Sequence, residues 1–184
     1  MSDLTHRASS AASEADAYTA ALLEALGSRD PLEVLDEMPG ALSRAVSGLS
    51  PSQQGTVEKP GKWSVRQVVA HLADSELVGG FRFRMTLAQD RPTLPGYDQD
   101  LWAERLRYQE SDIDRALGDF AVFRAGNLRL FRSATPEELD RSMRHAERGE
   151  ERLSHLIRLY AGHDIVHLRQ IARIRRAIGA AAAV

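Results

Sequence analysis

Residues 150–179 read EERLSHLIRLYAGHDIVHLRQIARIRRAIG, and this stretch decides the fold. Its apolar residues Leu153, Leu156, Ile157, Tyr160, Ile165, Leu168, Ile171, Ile174 and Ile178 recur at the spacing of one helix face. Gly179 closes the pattern, as glycine does where a helix ends in left-handed backbone. A helix this long must cover its apolar stripe with partners of similar length, and the upstream sequence supplies them.

Ser111 or Asp112 can cap a helix carrying Ile113, Leu117, Phe120, Phe123, Leu128 and Phe131 and ending near Ser133. Before it, Ser64 with Gln67 three residues on has the spacing of a capping box. The helix it opens runs to about Ala88 with an expected buried stripe of Val65, Val68, Val69, Leu72, Leu77, Val78 and Phe81. Asp30-Pro31 marks a further start, followed by Leu32, Leu35, Leu42, Val46 and Leu49, and Pro39-Gly40 predicts a kink or two short helices meeting. Ala8 to Gly27 is alanine-rich and reads as one more helix. The segments 50–62 and 90–100 read as a loop and a long connection, the latter with a helical turn around Trp102. Thr135-Pro136-Glu137-Glu138 opens a short helix to about Met143. No stretch alternates as a strand does, so the class is all-α: a four-helix bundle with one extended crossover and an extra N-terminal helical segment. The expected division is an extension over 1–29, the bundle over 30–179 and a tail over 180–184.

At 184 residues one domain is the default. A formal charge of −2 leaves no basic footprint for nucleic acid. No apolar run approaches the roughly 18–20 residues that span a bilayer, and nothing at the N-terminus reads as a secretory signal. The expectation is therefore a cytoplasmic protein without a membrane partner. There is no cysteine, so any metal must be held by histidine, carboxylate or water.

His163 and His167 stand one helical turn apart on one face, where two imidazoles can reach one cation. His71 falls in the apolar register of the Ser64 helix, which a bundle can bring opposite them. Three ligands leave positions open for water or substrate, the pattern of a catalytic site, whereas a chance His-x3-His pair and a hydrogen-bonded core histidine are the plainer alternatives. His6 reads as tail, His145 as loop and His155 as peripheral.

The segments Lys62-Trp63-Ser64-Val65-Arg66-Gln67-Val68-Val69-Ala70-His71-Leu72 and Gly162-His163-Asp164-Ile165-Val166-His167-Leu168-Arg169-Gln170-Ile171 resemble the DinB/YfiT-like family of metal-dependent enzymes. The likeness runs from about Leu32 to Ile178. It implies an up-down-down-up four-helix bundle and a divalent ion, zinc or nickel, on His71, His163 and His167, with water in the remaining positions. Similar proteins include thiol-dependent S-transferases and maleylpyruvate isomerases, so the resemblance implies a thiol-dependent S-transferase acting on a small electrophile. A hydrolase that activates water, or a non-enzymatic helical binding or stress protein, are the alternatives.

Asp74 and Glu76 follow His71 closely enough to accept a proton from a nucleophile at the ion, and are the candidate catalytic carboxylates. Asp164 reads as an outer or surface acid beside the ligands; Tyr160 and Gln170 are candidates to line the pocket, with core packing the plainer role for Tyr160. Trp63 reads as an aromatic plug. Arg82, Arg84, Arg124 and Arg129 read either as surface charges or as anchors for an anionic substrate. The partners expected are a small-molecule substrate, a low-molecular-weight thiol and a second copy of the chain in a homodimer.

Overall fold

A computed structural model describes residues 12–181, residues 12–15 by their backbone alone. Its elements run α1 (Ala12–Leu26), α2 (Pro31–Val46), α3 (Pro51–Gly55), α4 (Val65–Ala88), β1 (Thr93–Leu94), α5 (Gln99–Arg105), a 3-10 turn (Tyr108–Glu110), α6 (Ile113–Ser133), α7 (Pro136–Leu139), β2 (Ser142–His145), β3 (Gly149–Arg152) and α8 (Leu153–Ala177). The four long helices α2, α4, α6 and α8 form the up-down-down-up bundle. Each of α2 and α4 packs against both α6 and α8. The caps are those the sequence announces: Asp30 accepts from the amides of Leu32 and Glu33, Ser64 forms a reciprocal box with Gln67, and Asp112 accepts from Asp114 and Arg115. No helix among the described residues is long and apolar enough to cross a membrane.

Helix α2 passes through Pro39 and Gly40 without ending, against the expected break. Proline has no amide hydrogen, so the carbonyl of Leu35 four residues earlier loses its helical donor. The Arg124 guanidinium from α6 supplies the replacement, at 2.8 Å. Leu77 and Phe81 also depart from expectation, being half exposed on the outer face of α4. The 50–62 segment holds a short capped helix, α3. The run after Pro136 leaves helix at Leu139, because Ser142 to His145 pairs antiparallel with Gly149 to Arg152 and parallel with Thr93-Leu94. His6, expected as tail, lies outside the described residues.

The apolar interior is divided in two. One cluster gathers Val68, Val69 and Leu72 of α4 with Phe120 of α6 and Ile171 and Ile174 of α8. The other gathers Phe83 of α4, Leu128 and Phe131 of α6, and Leu153, Leu156 and Tyr160 of α8. Between them, at mid-bundle, lies a layer of buried polar groups that includes His71, Glu76, Arg124, Asp164 and His167.

Helix α1 is laid along α8 and adds Leu22 and Leu26 to the buried interior. A Cβ at Gly162 would land on the carbonyl of Leu22, so glycine there is what permits the approach. Backbone cannot yield as a flexible side chain does, and Gly162→Ala is expected to lower stability by about 1–3 kcal/mol, the range for overpacking. The measurement is the urea midpoint together with proteolysis of α1; an unchanged midpoint with α1 still protected would contradict the close packing.

Candidate metal centre

His71 sits near the N-terminal end of α4, and His163 and His167 lie one turn apart at mid-α8. Their Nε2 atoms converge. His163 Nε2 is 3.1 Å from His71 Nε2 and 3.0 Å from His167 Nε2, and one ring nitrogen from each of the three residues lies within 4.8 Å of the others. Two nitrogens each about 2.0–2.1 Å from a common ion stand about 2.9–3.4 Å apart for angles between square and tetrahedral, so both short contacts fit shared coordination.

Hydrogen bonding alone does not account for the cluster. Gln170 Oε1 lies 2.7 Å from His167 Nδ1, which makes that nitrogen the donor and leaves His167 Nε2 a lone pair. A ring nitrogen carries either one hydrogen or one lone pair, so His163 Nε2 can satisfy one of its two neighbours and not both. A divalent cation accepts all three lone pairs together, and the donor set fits one. Gln170 then acts as the outer group that fixes tautomer and ring orientation. His71 lacks such a partner: its Nδ1 is buried with none among the described residues, and its ring is held instead against Trp63, centroids 5.0 Å apart.

Burial pushes all three imidazoles below their ordinary range, His71 and His163 well below it and His167 to about 4. They are therefore neutral and competent as ligands at neutral pH. His145 is likewise pushed down to about 4 by burial and then by Arg148 and Arg82. An imidazole that resists protonation when folded but accepts a proton near 6.5 when unfolded contributes stability that is complete above about 6.5 and is lost as pH falls toward 4. Asp164 runs the other way, raised by burial to about 6, and returns part of that stability in the same window. Four histidines outweigh one carboxylate, so the urea midpoint of chelator-treated protein is expected to fall between pH 7.5 and pH 5. A flat midpoint would show that these rings are hydrated.

The carboxylates expected to relay a proton are engaged elsewhere. Asp74 accepts from the Tyr108 hydroxyl at 2.6 Å and faces a separate groove beside α6. Glu76 is buried with Arg124 at 2.9 Å and Asn127 at 2.8 Å. Neither lines the cavity beside the histidines. Arg124, expected as surface charge or substrate anchor, is 1% exposed and also grips Asp164 with two bonds of 2.6 and 3.2 Å. Asp164 thus ties α8 to α6 beside the ligand pair. Arg84 binds Asn127, and Arg129 stays exposed.

The cavity measures about 100 Å³ and is bounded by His71 and His163, by Tyr18 and Leu22 of α1, and by Tyr160. Sequence reasoning missed three further wall residues: His145 and Glu147, from β2 and the turn after it, and Tyr97. Met143 and His145, two apart and both buried, share one face of β2, an alternation of two residues that is too short to read from the sequence.

Residues 34–171 match the DinB superfamily. A Bacillus mycoides (strain KBAB4) protein named "Putative metal-dependent hydrolase" is 31% identical over 144 residues, covering 78% of this chain and 83% of its own. A like-named protein of Bacillus thuringiensis subsp. konkukian (strain 97-27) is 31% identical over 145 residues, with 79% and 83% covered. Among solved structures, YfiT from Bacillus subtilis, described as "a probable metal-dependent hydrolase with an unusual four-helix bundle topology", superposes with a TM-score of 0.78 at 26% identity, covering 98% of this chain and 97% of that one.

Proposed function

The chain belongs to the DinB superfamily, and from that premise we propose that it is a metal-dependent enzyme whose ion is held by His71, His163 and His167. The convergence of three neutral imidazoles on one point, beside an open cavity, is the observation that supports it. A divalent ion held there, zinc or nickel as the family resemblance implies, would supply the Lewis acidity that gives a nucleophile from water or thiol at neutral pH. The protein's own groups do the rest. Gln170 and Trp63 hold two of the rings, and the Arg124–Asp164 pair fixes α8 beneath them; Glu147 is the carboxylate on the cavity wall, where Asp74 and Glu76 are not.

Hydrolysis with water as nucleophile is the first reading, favoured by the names of the relatives. The second is transfer of a low-molecular-weight thiol to a small electrophile, favoured by the sequence resemblance and by a chain that has no thiol of its own. The test strips the protein with chelator, restores zinc or nickel, and assays ester and amide substrates alongside thiols with an electrophilic haloaromatic. Turnover that disappears on stripping and returns with metal supports the proposal, and its dependence on added thiol separates the two readings. Turnover that survives stripping, or metal-loaded protein inert across the panel, overturns it.

A further inference from the structure

Two groups on the cavity wall are incompletely matched among the described residues: Arg82 lacks a counter-charge and His145 lacks an acceptor. Arg82 of α4 is 6% exposed. Its Nη2 donates to the Pro95 carbonyl at 2.7 Å, and its guanidinium lies 5.9 Å from the Tyr97 ring centroid, yet no carboxylate pairs with it among the described residues. Neighbouring arginines do have acids: Arg124 has Glu76 and Asp164, and Arg148 has Glu151. A buried cation without a counter-charge is costly, and a bound anion removes that cost.

His145 of β2 is 1% exposed. The backbone amide of Glu147 donates to its Nδ1 at 3.2 Å, so the ring proton is on Nε2. That Nε2 is buried and has no acceptor among the described residues. The guanidinium without a counter-charge and the imidazole N–H without an acceptor come from different elements and meet on the cavity that His71 and His163 also line. Glu147 is the acid among the lining residues, and its carboxylate is turned against Gly96.

We propose that the substrate carries an oxyanion, a carboxylate or a phosphate, which docks on Arg82 and the Nε2–H of His145 while its reacting bond faces His71 and His163. Tyr18, Tyr97 and Leu156 give the rest of the ligand an aromatic and apolar wall. At about 100 Å³, room for about three waters, the cavity takes the anionic head and the reacting bond of a small molecule and little more. The placement of the reacting bond rests on the metal-dependent reading above. The anion contact does not, since it uses none of the three proposed ligands.

The experiment titrates the full chain, stripped of metal, with acetate, methyl phosphate and uncharged acetamide while following the side-chain nitrogen resonances of His145. Acetate or methyl phosphate is expected to shift His145 Nε2, and acetamide is not; the stronger of the two anions identifies the head group. Arg82→Gln, read by the same His145 resonance, and His145→Gln, read by titration calorimetry against the parent, should each weaken that binding by at least about tenfold, the loss of one charge-assisted or buried hydrogen bond, while still taking up zinc. A His145 signal that no anion moves, equal binding of acetamide, or variants that titrate like the parent would overturn the proposal, and the His145 signal decides it even if a variant fails to fold. Anion binding intact in a protein that takes up no zinc would instead sink the metal reading and leave this one standing.

Discussion

Arg124→Met is expected to cost about 3–5 kcal/mol, the penalty for removing one partner of a buried ion pair. Among the described residues the arginine is the cation paired with two buried carboxylates, Glu76 and Asp164, and it also replaces the donor that Pro39 denies the Leu35 carbonyl. Its loss leaves two acids and one carbonyl in a dry layer at once. Against a typical total of about 5–15 kcal/mol, that is a large share. The melting temperature should fall by about 10 °C or more. Adding Glu76→Gln and Asp164→Asn should restore part of the loss, because the stranded charges are then gone. A melting temperature within a few degrees of the parent would show that water reaches this layer and that the three charges do not depend on one another.

His163→Ala is expected to weaken zinc binding by more than about a hundredfold, beyond the roughly 10–100-fold range that follows loss of an outer partner such as Gln170. His163 is the middle of the cluster, in contact with both other rings through the same nitrogen, so its removal leaves two ligands that share no short contact in common. His71→Ala and His167→Ala should follow it, and Gln170→Ala should fall in the milder range. His6→Ala, His145→Ala and His155→Ala should retain zinc. Competition against a chromogenic chelator measures all seven. Equal affinity across the set would remove the ligand assignment.

Much of this was legible in the chain because helices write themselves in local code. Ser64 with Gln67, Asp30 with Pro31, and Asp112 each state where a helix begins, and the i, i+4 spacing of His163 and His167 states which face they share. The buried charges were legible in principle. Arg124 falls in the register of Phe120, Leu128 and Phe131, Glu76 in that of Val69, Leu72 and Phe83, and Asp164 in that of Ile157, Tyr160 and Ile171. A single charge in an apolar stripe invites the surface reading. Three of them at matching depth in three helices make a partnership, and that matching appears only once the helices are assembled. The small sheet was harder. Ser142 to His145 and Gly149 to Arg152 mix charges with too few apolar residues to mark an alternation, so pairing depends on tertiary neighbours that a local pattern does not contain. Asp74 and Glu76 were chosen for closeness to His71 along the helix, and helical rotation turns both away from the cavity.

The division of the interior into two apolar clusters by a polar layer has a consequence for the life of the protein in a cell. A ligand that binds only the folded chain adds RT ln(1 + [L]/Kd) to its stability, about 2.7 kcal/mol at a hundredfold excess over Kd. Here that ligand would sit where the two halves meet, and without it the layer must be held by Arg124 and its acids alone. Were that ion bound, a fall in free metal would raise the unfolded fraction, and proteases that clear unfolded chains would convert the change into lower abundance. If the proposed ion binds, the amount of this protein would track the ion's supply with no dedicated sensor, the bundle itself serving as the gauge.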